Sequence, residues 1–318
     1  MNDILEAAIE QKVNDIYLLP TEDQQYVIKF HLDGQAVTFK QISEINAQTM
    51  ISALKYRAKM NISERRRPQL GRFQNDEIWL RVSTVGDFLN RETVVLRLIY
   101  PQRQTQNWLV SQQFEAIQTA LPSAGLFLIS GPTGSGKTTT LYRLLDQLAD
   151  DKLVLTIEDP VEIQQPKFVQ LQVNEDAGIY YDELIKVALR HRPEILLVGE
   201  IRDKKTAQAA VQAALSGHLV LSTVHAMSAR DVIVRLQDLG VDHMKLMAAL
   251  AGVVYQRLLP TNNHQQAAIM DMLNDHLLER VMRGDEIPKF SKKWQEVLQH
   301  AMEQQIISQE TCEIYQKL

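Results

Sequence analysis

The chain has 318 residues, 45% of them apolar and 23% charged, the balance of an ordinary soluble globular protein with room for two domains. Its net charge of −5 argues against a surface that binds nucleic acid by neutralising phosphates. A single cysteine, Cys312, allows neither an internal disulfide nor a multi-cysteine structural zinc site.

The opening run, MNDILEAAIEQK, carries acids where a secretory leader would be basic, so no leader is expected. The stretch YVIKFHLDGQAVTFKQI predicts a strand with Tyr26, Ile28, Phe30 and Leu32 on one face, then a hairpin turn at Asp33-Gly34. A helix is expected over 47–60, and after a basic loop the runs EIWLRVSTV and TVVLRLIY read as two more strands. Residues 1–100 therefore form a small α+β domain, and the polar, proline-led PQRQTQN at 101–107 is the expected linker.

From 108 to about 270 the rhythm changes. Apolar runs (GLFLIS, KLVLTIED, FVQLQV, EILLVGE, HLVLSTVH) alternate with amphipathic helical stretches, the pattern of an α/β domain whose largely parallel sheet is covered on both faces. The most apolar long stretch, 246–259, is interrupted by Tyr255, Gln256 and Arg257, too short and too polar to span a bilayer. A cytoplasmic location follows. Residues 271–318 read as a helical segment without nameable chemistry.

The sharpest signal is GPTGSGKT, Gly131 to Thr138, set between a strand and a helix. Its glycines let backbone N–H groups close around phosphate oxygens at a helix N-terminus. The candidate nucleotide-binding residues are Gly131, Pro132, Thr133, Gly134, Ser135, Gly136, Lys137, Thr138 and Thr139. Lys137 would reach the β- and γ-phosphates of ATP, and the Thr138 hydroxyl would ligate Mg²⁺.

Ligands of open α/β sheets lie beyond the C-terminal strand ends, and that rule sorts the remaining candidates. LTIEDPVE places Glu158, Asp159 and Glu162 at one such end, LLVGE places Glu200 at a second, and LSTVH places His225 at a third. Helix capping or a solvated loop is the alternative for the acids. Arg202 follows Glu200 in the same run. His218 begins the strand that His225 ends, which puts it at the opposite rim, where a subunit contact or simple packing fits as well as a nucleotide.

The motifs GPTGSGKTTTLY, TIEDPVE, LLVGEIRD and GHLVLSTVHAMSA, in this order, resemble those of the secretion and type IV pilus ATPases. RRRPQLGRF, RVST and VVLRL extend the resemblance over most of residues 10–260. Within that family the chain is most similar to the competence-pilus assembly ATPases of Gram-positive bacteria, the ComGA type. The resemblance implies a RecA-like P-loop ATPase domain preceded by a smaller, PAS-like α+β domain. It also implies that Glu200 positions or deprotonates the attacking water, that Glu162 supports Mg²⁺ or that water, and that His225 senses the γ-phosphate. Arg81 and Arg97 would reach the nucleotide, where charge spreads over the γ-phosphate oxygens; exposed arginines on strands are the alternative.

Further implications are a homo-hexamer, a polytopic platform protein that holds it at the cytoplasmic membrane face, and pilins moved indirectly. Departures exist. Leu70 stands where relatives have an aspartate, and His191, Arg192 and Glu194 replace part of an Asp-Pro-Asp run. The four-cysteine insertion of larger secretion ATPases is not found, and LLERVMRGDEI does not match the retraction signature. These features favour a short assembly ATPase over a retraction motor; a retraction or type II secretion motor on the same scaffold is the alternative. A non-hydrolysing nucleotide-dependent regulator and a DNA-translocating motor are the other readings, the latter disfavoured by the acidic balance.

Overall fold

The computed structural model describes residues 1–317 apart from 33–34, 77, 101–106, 175–176 and 264. The expected turn at Asp33-Gly34 and the expected linker, except Asn107, lie outside the described residues. Met1–Gln102 and Arg103–Leu318 form two compact units.

The first unit runs α1 (Asn2–Glu10), β1 (Asp15–Pro20), β2 (Gln25–Leu32), β3 (Gln35–Ser43), α2 (Glu44–Arg57), β4 (Gln69–Asn75), β5 (Ile78–Gly86) and β6 (Glu92–Ile99). Its antiparallel sheet has the order β3-β2-β1-β6-β5-β4. Alternation on β2 buries Tyr26, Ile28 and Phe30 against Ile51 and Leu54 of α2 and Leu80, Val82 and Leu96 of the neighbouring strands. Ser43 caps α2 by accepting from the Asn46 amide. The fully buried Lys55 of α2 pairs with Glu92 at the start of β6 and donates to the Glu64 carbonyl, which satisfies a charge that could not otherwise stay inside. Three elements, α1, β1 and β4, go beyond the sequence reading. On β4 only Phe73 is buried, so the strand carries almost no alternation to detect.

The second unit contains α3 (Gln112–Ala120), β7 (Gly125–Ser130), α4 (Lys137–Leu148), β8 (Val154–Glu158), β9 (Phe168–Gln172), α5 (Tyr181–Arg190), β10 (Ile195–Glu200), α6 (Lys204–Leu215) and β11 (Leu219–Val224). After these come α7 (Asp231–Asp238), α8 (His243–Ala249), β12 (Leu250–Pro260), β13 (Gln266–Asn274), α9 (Asp275–Met282), α10 (Lys292–Glu303) and α11 (Gln309–Gln316). The sheet order is β13-β12-β7-β11-β10-β8-β9, parallel except for β13, which returns antiparallel to β12. Leu126 and Leu128 face one core while Phe127 and Ile129 face the other, so β7 is buried on both sides and reads as an unbroken apolar run.

The apolar stretch 246–259 divides into the end of α8 and most of β12. Beyond residue 271 the chain is still sheet as far as Asn274 and then helical. Those helices join the same core. Trp294 of α10 is fully buried, stacks on Phe290 at 4.8 Å and leans on Tyr255 of β12. Asp271 of β13 accepts from the Ser291 amide and hydroxyl, which fixes the start of α10; burial raises its carboxyl above the ordinary value. Among the described residues no helix is long and apolar enough to cross a membrane.

Candidate functional site

The loop from β7 to α4 owes its shape to glycine. Gly131, Gly134 and Gly136 have φ of +144°, +77° and +82°, a region closed to most side chains. At Gly131 a Cβ would also stand 2.3 Å from the Gln256 carbonyl oxygen. Lys137, the first residue of α4, turns back over the loop and donates to the Gly131 and Pro132 carbonyls at 2.9 and 2.8 Å. Burial lowers the pKa of its ammonium, and the charge of Glu200 opposes that shift. Thr138 and Thr139 follow on the first turn of the helix, and the glycines and Ser135 precede it.

One contributor was not anticipated. Gln256 on β12 is fully buried, donates to the Ser135 carbonyl at 2.7 Å and accepts from the Thr140 hydroxyl at 2.8 Å. It therefore pins both the loop and the first turn of α4. The only sequence signal was an amide inside an apolar run, which served merely to exclude a membrane span.

Glu200 ends β10 after a local irregularity. The register with β11 shifts between Val198 and Glu200, and the Thr223 hydroxyl donates to the Gly199 carbonyl at 2.7 Å. A Cβ on Gly199 would stand 3.2 Å from both the Ile157 carbonyl oxygen and the Tyr181 hydroxyl. The bulge re-aims the next side chain, so the acid stands one residue later than a regular strand would place it. Its carboxylate meets Arg202 at 2.6 Å and His225 Nε2 at 3.1 Å. Two of the sequence candidates, Arg202 and His225, thus converge on the carboxylate of a third.

Glu158 does not lie past its strand end. It closes β8 with its carboxylate buried, accepting from the Tyr142 hydroxyl (2.6 and 2.7 Å) and from Thr156 (2.6 Å). Burial raises its pKa, the three side-chain donors around it oppose that, and the negative charge of Glu162 adds to the rise. The fold thus favours the protonated form more than the unfolded chain does. Its stabilising share is complete below the unfolded-state value of 4.5 and is lost as pH rises through the higher folded value. Glu158→Gln should therefore gain stability relative to the wild type between pH 4 and pH 8 in urea titrations. A difference that does not change with pH would place the carboxyl at its ordinary value.

Asp159 is exposed just after β8, and Glu162 is half-buried in the loop that leads to β9. His218 precedes β11 and lies near the Ala213 carbonyl (Nδ1 at 3.3 Å), beside Gly125 at the start of β7, on the rim away from the phosphate loop. In the first unit Arg81 and Arg97 are direct cross-strand partners on β5 and β6. Arg72 and Asp15 extend the same row, and Arg97 pairs with Asp15 at 2.8 Å.

Among the described residues no three His, Cys, Asp or Glu side chains gather to hold a metal by themselves. Thr138, Glu162 and Glu200 offer hard oxygen donors, and Mg²⁺ takes one or two such groups together with phosphates and water, so the residues fit that ion.

Residues 1–315 match the family model described as "Type II/IV secretion system protein". The chain is 40% identical over 261 residues to the competence protein ComGA of Streptococcus pneumoniae, covering 81% of this chain and 83% of that protein. It is 36% identical over 313 residues to ComGA of Halalkalibacterium halodurans, covering 89% of each. Among solved structures, the pilus retraction motor PilT with bound ADP superposes with a TM-score of 0.78 at 24% identity, over 99% of this chain and 98% of that one. That likeness is one of fold.

Proposed function

Because this chain belongs to the type II/IV secretion system protein family and is a RecA-like P-loop ATPase, we propose that it is the motor that assembles a competence pilus for DNA uptake. What carries the reading is its similarity to two competence proteins along more than four-fifths of each chain. The fold alone is shared with a retraction motor and does not favour a direction.

In the proposed mechanism the 131–139 loop and the N-terminus of α4 bind the phosphates of ATP, with Lys137 on the β- and γ-phosphates. Thr138 and Glu162 would hold Mg²⁺, which would supply neutralisation of charge on the phosphate oxygens. Glu200 orients and deprotonates the attacking water. His225, whose Nε2 lies 3.1 Å from the Glu200 carboxylate, connects that carboxylate to the state of the γ-phosphate. Arg81 and Arg97 supply positive charge to the nucleotide. The working assembly is a homo-hexamer bound to a polytopic platform protein at the cytoplasmic face of the membrane, and it acts on pilins through that partner.

A deletion strain tests the role. Surface pili and DNA uptake should disappear together, and a strain carrying Glu200→Gln should match the deletion. Normal or increased surface pilin, whatever happens to uptake, would rule out assembly and point to retraction.

A further inference from the structure

The loop that carries Glu162 is held from beneath by two amides on β9. Gln170 donates to the Ile163 carbonyl at 2.9 Å and accepts from the Gln165 amide at 2.8 Å. Gln172 accepts from the Val161 amide at 3.3 Å. The backbone on either side of Glu162 is therefore templated by side chains of the edge strand rather than by a ladder.

The same Gln170 reaches in the other direction. Its Nε2 donates to the Tyr142 hydroxyl at 3.1 Å, and Tyr142 in turn donates to the buried Glu158. Tyr142 belongs to α4, the helix that begins with Lys137 and Thr138. A hydrogen-bond relay in a buried site polarises along its length and tolerates little displacement of its members. One relay thus joins the helix whose N-terminus faces the phosphates to the loop that carries the acid.

We propose that Gln170 and Tyr142 are positioning residues for hydrolysis: together they fix the Glu162 loop against the phosphate-binding helix and so set where the Glu162 carboxylate meets Mg²⁺. The assignment rests on the role proposed for Glu162. Glu162 stands between Val161, whose amide donates to Gln172, and Ile163, whose carbonyl accepts from Gln170, so both of its chain neighbours are fixed by these amides. A purely structural network would satisfy the buried Glu158 and nothing more; a positioning network also controls the metal.

The experiment measures steady-state hydrolysis by the full chain against ATP and against Mg²⁺, with thermal melting as a folding control. Partners that orient metal ligands typically contribute 10- to 100-fold to metal affinity or activity. Gln170→Ala should raise the Mg²⁺ half-saturation and lower kcat, each by about 10-fold, while the affinity for a fluorescent ATP analogue in EDTA stays at the wild-type value. Tyr142→Phe keeps the ring in the core and removes the hydroxyl that accepts from Gln170 and donates to Glu158. It should move the same two quantities by about fivefold.

In a Glu162→Gln background, Gln170→Ala should add less than about twofold, because residues that act through one another are not additive. Full additivity, or wild-type kcat and Mg²⁺ dependence in both single variants, overturns the proposal. Glu162→Gln with wild-type kinetics would instead remove the reading of Glu162 itself, and the positioning role with it. An impaired Glu162→Gln beside normal Gln170→Ala and Tyr142→Phe removes the positioning role alone.

Discussion

Glu200→Gln is expected to bind ATP with near wild-type affinity and to lose about 10²- to 10⁴-fold in kcat, the range for removal of a general base. The substitution keeps size and the capacity to accept a hydrogen bond, so the bulge at Gly199 and the contact with His225 or Arg202 can persist. What it removes is the group able to take a proton from water. Binding should survive because the hydrogen bonds that Lys137 and Gln256 make to the 131–136 loop do not involve the carboxylate. Single-turnover hydrolysis alongside an ATP-binding titration separates the two quantities. An unaltered kcat would exclude Glu200 as the base, and a lost affinity would assign it to binding instead.

The second large effect is expected at Lys137. Lys137→Ala should weaken ATP binding by about 10- to 100-fold, as follows from losing a hydrogen bond to a charged group worth about 1.5–3 kcal/mol. Turnover should fall below detection, since the β- and γ-phosphates lose the ammonium proposed to bind them. The ammonium also closes the loop by bonding two of its carbonyls, so the variant should show faster amide exchange across 131–136. Hydrolysis at the wild-type rate would show that the phosphates lie elsewhere. Intact exchange protection together with lost affinity would show that Lys137 acts on the nucleotide alone and that Gln256 suffices to shape the loop.

How much was legible depended on how local each signal was. The alternation on β2 and the doubly buried run of β7 were plain because each encodes its own burial in spacing. The phosphate loop was plain for a related reason. Three positive-φ glycines and a lysine within seven residues leave few backbone shapes available. By contrast β4, with one buried side chain, and the split of 246–259 into helix and strand carry no period of their own; their pairing with β5 and β7 defines them.

Within the candidate site the same division holds. The rule for strand ends proposed Glu158, Asp159, Glu162, Glu200 and His225 together, and the family resemblance singled out Glu200 from the Gly-Glu pair. Why Gly precedes Glu needed the bulge, because the offset comes from the register with β11 and from close approach of the Ile157 carbonyl and the Tyr181 hydroxyl. The strand-end rule did not separate Glu158 from Glu162, four residues apart in one acidic box; only the family resemblance pointed to Glu162. Burial separates them: Tyr142 and Thr156 enclose one carboxylate, while the other stays in a half-exposed loop.

By itself, then, the sequence determined the family, the RecA-like P-loop class and the phosphate cradle, since these reside in runs of a few residues whose chemistry is complete in place. Only the tertiary structure decided what holds those runs in register. Gln256 reaches the phosphate loop from more than 115 residues away, and Gln170 joins the acidic loop to α4 from 28 residues beyond Tyr142. Their amides carry no local pattern, because a buried hydrogen bond constrains only the two groups it joins, and which groups meet is settled when strands and helices pack.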